Sequence, residues 1–241
     1  MKILSTFEAL TTKTSSGAGA GFPVANIADL DPFVRWVADA YTGDVWVKVD
    51  FGSAKVLTGL FLNQCNFPHC HVQGHASDSW ASPSFDLGVD LVLDDAANRK
   101  GWFDLVAFNY RWLRILIPGS QTLDKSETVP AIGNLLVGAA VTLPLVSDFE
   151  ARMVQRVRAF EADGGGYRES KQGRARHLIS IGIGDSLANI RAMPKAWADA
   201  VIYADLGDAG DSWLVFPPND WSRPIRSIID AELRFQLRER P

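Results

Sequence analysis

The chain has 241 residues, of which 47% are hydrophobic and 22% charged, which is typical of a folded polypeptide and excludes a disordered tail. Its 24 Lys and Arg against 28 Asp and Glu give a formal charge of −4, so we expect no general nucleic-acid binding. The apolar stretches fall short of the roughly 20 residues of a bilayer span, and the start lacks the features of a secretory signal. We therefore expect no membrane insertion and folding in a cytoplasm.

Charge usage changes near residue 145. Residues 1–144 contain six Lys and four Arg against fourteen acidic residues, whereas residues 145–241 contain two Lys and twelve Arg against fourteen acidic residues. No Gly/Ser-rich or Pro-rich linker separates these halves. The sequence therefore predicts two closely packed domains, 1–144 and 145–241.

The first half is predicted to form short strands separated by turn residues. Val and Phe alternate with Trp, Lys and Asp from Val45 to Phe51, and Gly52 with Ser53 ends this run. The segments 56–62, 89–93 and 110–117 have strand length and β-branched or aromatic content. Residues 26–30, followed by Pro32, indicate a short helical turn or loop. This pattern predicts a β-sandwich.

Both cysteines and three of the four histidines lie between residues 65 and 75. Residues two apart on a strand share a face, so the histidines could ligate one zinc or nickel ion, with a cysteine completing the site. The alternative is structural, because Pro68 and Gly74 interrupt the pattern and a cysteine ending an apolar strand packs well when buried. No acidic residue lies within the cluster to act as a general base, so adventitious binding is favoured over a catalytic ion. No metal ligand is assigned, and the candidates are Cys65, His69, Cys70, His71 and His75.

Five of the eight tryptophans lie in the first half, at positions 36, 46, 80, 102 and 112. Exposed indoles on a sandwich can stack on sugars, but buried core positions are the interpretation we favour. No catalytic residue is predicted. The sequence has no G-x-S-x-G elbow, and Gly184–Leu187 matches a Gly-Asp-Ser-Leu lipase motif only superficially, since no histidine follows His177.

The second half has a different pattern. Residues 152–158 and 177–183 each alternate, and the Gly-rich stretch 163–166 between them predicts a hairpin. Asp185 is placed to cap a helix that continues to Trp197. Residues 213–216 and 225–237 are again predicted to form strands. The predicted fold class is mainly β, with a C-terminal β-rich α+β domain in the order β-β-α-β-β.

A resemblance to a known family adds to this interpretation of the first half. The segments 22–32, 35–36 and 44–52 resemble the opening of discoidin-like, galactose-binding-type jelly rolls, which have an Asn-Leu/Ile segment, a lone Trp and a strand ending in Asp-hydrophobic-Gly. Residues 56–62, 76–80 and 110–115 continue the likeness, which covers about residues 22–140. The resemblance implies a galactose-binding-like jelly roll. No sugar or calcium site transfers with it, and relatives usually carry Ser, Ala, Thr or Arg at the histidine cluster.

The combination of this jelly roll with an Asn-rich loop at 63–66 and no disulfide framework is similar to modules in tail proteins of phages. The second half, through Gly173–Arg176 and 216–219, resembles β-rich segments of phage distal tail and baseplate proteins. This implies a non-enzymatic structural component of the virion tail, assembled in the host cytoplasm without a cofactor. Its partners would be further copies of itself in a ring, the tail tube, hub and tape-measure proteins, and a host surface glycan.

Two alternatives remain open from the sequence. The first is a free carbohydrate-binding module, which would place one or more tryptophans on the surface. The second is a metal-dependent hydrolase that uses the cluster between Cys65 and His75, for which no catalytic base is evident.

Overall fold

The computed structural model describes residues 2–4, 7–29, 34–93, 98–119 and 121–142, together with the backbone of six strands between 150 and 239. The chain divides into two compact units. One comprises residues 6–141 and 205–212 and is called the sandwich unit below; the other comprises residues 1–5, 142–204 and 213–241 and is called the C-terminal unit. The predicted boundary at residue 144 lies outside the described residues.

Strands dominate both units, which confirms the predicted mainly β class. In chain order they are β1 (Lys2–Leu4), β2 (Thr12–Ser15), β3 (Trp36–Val37), β4 (Val45–Cys65), β5 (His69–His75), β6 (Phe85–Asp90), β7 (Val92–Leu93), β8 (Arg99–Ile117), β9 (Ala131–Ile132), β10 (Asn134–Gly138), β11 (Val141–Thr142), β12 (Glu150–Ala162), β13 (Gly166–Ser186), β14 (Ile202–Asp205), β15 (Ser212–Phe216), β16 (Trp221–Ser222) and β17 (Asp230–Glu239). Two short 3-10 helices cover Val24–Ala28 and Asp124–Ser126. The first of these confirms the predicted helical turn.

The sandwich unit is built on two long antiparallel strands, β4 and β8. The start of β4 pairs with the end of β8, from Val45 opposite Ile117 to Asp50 opposite Trp112, and the pairing resumes after an irregularity at Lys55. Gly52 lies in this irregularity with φ of 77°, a backbone conformation that residues with a Cβ rarely adopt. The predicted strands 45–51 and 56–62 are therefore parts of one bent strand, because Gly52 bends it rather than ending it.

The remaining strands of this sheet extend outward from β4 and β8 in the order β10-β4-β8-β5-β6, with β2 paired to β4 and β7 to β8. A separate two-stranded sheet joins β3 and β9. Side chains from both halves of β4, from β5, β8 and β10, pack into one apolar core, so the bent sheet encloses that core as the predicted β-sandwich. The predicted loop at 63–66 is shorter than expected, since β4 continues to Cys65.

Only one of the five first-half tryptophans is a core residue. Trp36 is fully buried, and its indole Nε1 donates to the carbonyl of Gly17 at 3.2 Å. The favoured interpretation that these tryptophans are buried in the core is wrong for the other four, which are partly exposed on strands or in a loop. These four partly exposed residues are Trp46, Trp80, Trp102 and Trp112.

Buried polar bonds fix one end of the sandwich. The Asn66 side chain donates to Glu127 Oε2 at 2.6 Å and to the Val129 carbonyl at 2.8 Å, and its Oδ1 accepts from the Ala131 amide. Glu127 also forms an ion pair with Arg35 at 3.3 Å. Because Asn66 is buried and its amide is satisfied, this residue has a structural role at the start of the connection to β5.

The C-terminal unit contains an eight-stranded sheet in the order β11-β1-β14-β15-β17-β13-β12, with β16 paired to β17. Strands β12 and β13 form the predicted hairpin, with Arg152 opposite Leu178 and Ala162 opposite Gly166. Asp185, predicted to cap a helix, lies instead in β13 opposite Ala231 of β17. The predicted helix beyond Ser186 and the loop at 217–219 lie outside the described residues. No helix in the described part of the chain is long and apolar enough to span a membrane.

Candidate functional site

Successive side chains of strand β5 point to opposite faces of the sheet, and this divides the residues of the Cys/His cluster between the core and the outer face. Cys70 and Val72 point into the core and are fully buried, whereas the His69 and His71 side chains lie on the outer face with about a third of their surface exposed. His75 continues the row on the outer face, as the two-residue spacing predicts, whereas Gln73, between His71 and His75, is buried under its polar neighbours.

The two cysteines do not join this row. Cys65 and Cys70 are free thiols inside the hydrophobic core. Burial raises the pKa of both thiols, and the neighbouring Cys70 contributes to the rise at Cys65. Among the described residues, no group of three or more His, Cys, Asp or Glu side chains is arranged to hold a metal ion. The five candidates of the cluster are therefore not brought together as one ligand set.

Strand β6 instead brings two carboxylates to the histidines. The ring Nδ1 of His69 lies 2.9 Å from Asp90 Oδ1, its direct cross-strand neighbour, and Nδ1 of His71 lies 2.8 Å from Asp86 Oδ1. Between residues 65 and 75 there is no acidic residue. The fold supplies them from a strand that is separated from β5 by the connection 76–84.

A continuous chain of polar contacts extends from Asp86 toward β8. Its Oδ2 accepts from Gln73 Nε2 at 2.7 Å, and Gln73 Oε1 in turn accepts from Arg114 Nε at 2.7 Å. The guanidinium carbon of Arg114 lies 4.5 Å from the centroid of the Trp80 ring, within the range of a cation–π contact. His75 ends the row and exchanges contacts with Ser77 in the following turn.

Lys48 lies near the start of β4, directly opposite Arg114 of β8. Its ammonium group lies 4.4 Å from the Trp46 ring centroid and 5.8 Å from that of Trp112. It also contacts both carboxylate oxygens of Asp78, at 2.7 and 2.9 Å, and the Trp80 indole donates to the same carboxylate. Hydrogen bonding to Lys48 is the main cause that lowers the pKa of Asp78. The connection 76–84 is thereby tied to the sheet face.

Arg111 of β8 forms an ion pair with Asp50 of β4. Its Nε and one terminal nitrogen each lie 2.7 Å from an oxygen of Asp50, which is the paired geometry of a guanidinium on a carboxylate. The hydrogen bond from Arg111 lowers the pKa of Asp50. The guanidinium also lies 5.6 Å from the centroid of Trp112.

These side chains form one surface, which we call the polar–aromatic face. Strands β4, β8 and β5 place them in register, since Lys48 is opposite Arg114 and Arg114 is opposite Gln73. Indole rings alternate here with an amide group and with charged groups of both signs. The surface therefore offers flat apolar areas next to fixed hydrogen-bond donors and acceptors. It consists of Trp46, Lys48, Asp50, Gln73, His75, Asp78, Trp80, Arg111, Trp112 and Arg114.

Most of this surface was not identified from the sequence. The usable signal was the alternation of β4, which places Trp46, Lys48 and Asp50 on one side and three valines on the other. Asp78 and Trp80 carry no such pattern, because they reach the face through the connection after β5.

Comparisons with family models and with curated proteins found no match. Among solved structures, the chain is similar to chitosan-binding module 1 of a chitosanase/glucanase from Paenibacillus sp. IK-5, with 18% identity, a TM-score of 0.41, and coverage of 54% of this chain and 96% of that one. It is also similar to a fucose binding module from Streptococcus pneumoniae, with 13% identity, a TM-score of 0.43, and coverage of 55% and 96%. A third is the CBM32 of AlyQ in complex with 4,5-unsaturated mannuronic acid, with 16% identity, a TM-score of 0.42, and coverage of 55% and 97%.

Proposed function

We propose that the sandwich unit is a carbohydrate-binding module and that the polar–aromatic face is its binding surface. The observation that carries this proposal is the grouping of three partly exposed indoles, Trp46, Trp80 and Trp112, around the cations Lys48 and Arg114 on one sheet face. The proposed role is binding without catalysis and without a cofactor.

The chemistry of the face suits a sugar. A pyranose ring has an apolar C–H side that packs on an indole and a rim of hydroxyl groups that need both donors and acceptors. The carboxylates of Asp50 and Asp78 supply acceptors, while Arg114 and Lys48 supply donors. Because both charge signs are present, the surface favours a neutral glycan over a strongly charged one.

The side chains are also held in place before any ligand arrives. Lys48 is fixed by Asp78 and by the ring of Trp46, and Arg114 by Gln73 and Trp80. Immobilising a long side chain on binding costs about 0.5–1.5 kcal/mol. An arrangement that is already ordered avoids part of that cost.

A glycan array probed with the full-length protein tests the proposal. We expect retention of at least one neutral glycan, and loss of that binding in Trp112→Ala and in Trp46→Ala. Trp102→Ala is the matched control, because Trp102 is also partly exposed but pairs with Phe61 on the other half of β4. An array without binding, or equal binding by Trp112→Ala and wild type, would contradict the proposal.

We also propose, as a second candidate, a structural part of a phage tail in which copies of the chain form a ring. One observation favours assembly between copies. Within the described residues, the thirteen-residue strand β12 is paired on one side only, by β13, and so ends its sheet. A long edge strand presents unpaired amides and carbonyls that can accept a strand of another copy.

Light scattering after size-exclusion chromatography tests assembly. A ring predicts a mass that is a small multiple of 26.4 kDa and that does not change on moderate dilution. A Pro substitution in β12, for example Val157→Pro, should then reduce the mass, whereas a protein that is monomeric at all concentrations and absent from purified virions would contradict this candidate.

A further inference from the structure

The outer face of β5 carries a second arrangement, next to the polar–aromatic face but separate from its tryptophans. His69 and His71 are two residues apart on β5, with ring centroids 5.2 Å apart and ring planes at 88°. Across the sheet, His69 is opposite Asp90 and His71 is opposite Gly88 of β6. We propose that these two histidines chelate one divalent transition-metal ion of the copper, nickel or zinc type.

The hydrogen bonds of the two rings determine which nitrogen is available. In a neutral imidazole one nitrogen carries the proton and the other a lone pair. Nδ1 of His69 faces the carboxylate of Asp90, and Nδ1 of His71 faces that of Asp86, so each Nδ1 holds the proton and donates it. Each Nε2 therefore keeps its lone pair for a ligand bond. A carboxylate behind the ring also fixes its orientation and increases the basicity of Nε2.

Gly88 of β6 carries no side chain next to the two rings. A Cβ at this position would lie 3.5 Å from His69 Cε1, 3.7 Å from His71 Cε1 and 3.9 Å from His69 Nε2. A larger side chain would extend over these same edges. With glycine there, β6 places no side chain at this point, and the His69 and His71 side chains are each about a third exposed.

The chemistry selects the class of ion. Imidazole nitrogen suits copper, nickel and zinc, while calcium and magnesium prefer oxygen ligands. Two protein ligands leave the other coordination positions to water. An ion held in this way can accept an oxygen or nitrogen donor from a bound partner, so the site would act as an open anchoring point rather than as a closed structural centre. This inference does not depend on sugar binding.

Isothermal titration of the untagged full-length protein with Ni²⁺ tests the site. We expect one equivalent bound, with the affinity reduced by more than about tenfold in His69→Ala and in His71→Ala. Asp86→Asn and Asp90→Asn should each weaken binding by about tenfold, since loss of such an outer partner typically costs 10- to 100-fold. His75→Ala is the matched control, because His75 lies on the same face but is held by Ser77, and its affinity should equal that of wild type.

Pulsed EPR of the Cu²⁺-loaded protein gives a readout that does not depend on affinity. Two coordinated imidazoles are expected in the wild type and one in either single histidine variant, with the thermal unfolding of each variant measured to confirm folding. Unchanged Ni²⁺ affinity in His71→Ala, or an equal loss in His75→Ala, would overturn the proposal.

Discussion

The guanidinium carbon of Arg114 lies 4.5 Å from the centroid of the Trp80 indole, while Arg114 Nε donates to Gln73. This contact joins a strand residue of the sheet to a residue in the connection 76–84. The position of Trp80 on the polar–aromatic face therefore depends on a contact between β8 and that connection.

Replacing Arg114 should remove the contact that holds Trp80 and the connection 76–84 against β8. We expect Arg114→Ala to lower the free energy of unfolding by about 1–2 kcal/mol, because it removes a partly buried cation–π contact and leaves Gln73 without its donor. Urea denaturation followed by tryptophan fluorescence measures both the loss and the expected red shift of Trp80. Arg111→Ala is the control. Its guanidinium is more exposed, so we expect a smaller loss than for Arg114→Ala and no shift of Trp80.

Substitution by alanine should change the stability of the protein differently at two glycines in neighbouring strands. A Cβ at Gly74 would lie 2.6 Å from the Phe108 ring and 2.7 Å from the Tyr110 ring, whereas a Cβ at Gly88 would approach no atom closer than 3.5 Å. We expect Gly74→Ala to destabilise the protein by about 1–3 kcal/mol, because the two packed rings must shift. Gly88→Ala should remain within about 0.5 kcal/mol of wild type, or be slightly more stable. Equal losses in chemical denaturation would contradict this prediction.

The sequence predicted what depends on spacing along one strand. The alternation of β5 places His69, His71 and His75 on one face, and the alternation of β4 buries its valines. What depends on pairing between distant strands was not predictable. The carboxylates of Asp86 and Asp90 reach the histidines only because β6 pairs with β5 in one particular register.

Two predictions, the burial of the tryptophans and the end of the strand at Gly52, were wrong for local reasons. Tryptophan is large and carries a polar N–H, so its type alone does not distinguish a core position such as Trp36 from a partly exposed one such as Trp112. A Gly-Ser pair is a common strand end, but Gly52 with a positive φ here bends β4 without ending it. In both cases the deciding information is the neighbouring strand, which short sequence windows do not contain.

Acid should weaken two of the ion pairs on the polar–aromatic face. The fold lowers the pKa of Asp50 through Arg111 and that of Asp78 through Lys48. A lowered pKa contributes stability that is present above the pKa of the unfolded carboxyl, near 4, and is lost as pH falls through the lower value in the folded state. The double variant Asp50→Asn/Asp78→Asn should therefore show a flatter decline of unfolding free energy between about pH 4 and 2.

The size of this effect is limited by solvent. Asp78 and Arg111 are each more than a third exposed, so solvent screens both pairs and the contribution of each should be small. Repeating the titration in 1 M NaCl should reduce the difference between variant and wild type, since screening weakens exposed pairs. An identical slope for variant and wild type at low salt would count against this assignment.

The buried thiols should be protected from alkylation in the folded protein. Cys65 and Cys70 are almost fully buried, and burial raises the pKa of both, so little thiolate is present or accessible at pH 8. Mass spectrometry after brief iodoacetamide treatment should find neither cysteine modified in native protein and both modified in guanidinium chloride. Rapid modification of either residue under native conditions would show that its side chain does not occupy the core.

The same raised pKa values predict a loss of stability at alkaline pH. A thiol that stays protonated in the folded state contributes its full stability below the pKa of the unfolded thiol, near 8.5, and loses it as pH rises above that value. Between about pH 8.5 and 9.5 the free energy of unfolding should therefore fall with pH, at no more than about 1.4 kcal/mol per unit for each thiol. Chemical denaturation across this range should show a smaller slope for Cys65→Ala/Cys70→Ala, even though the cavities lower its absolute stability. A slope equal to that of wild type would mean that other groups cause the alkaline loss.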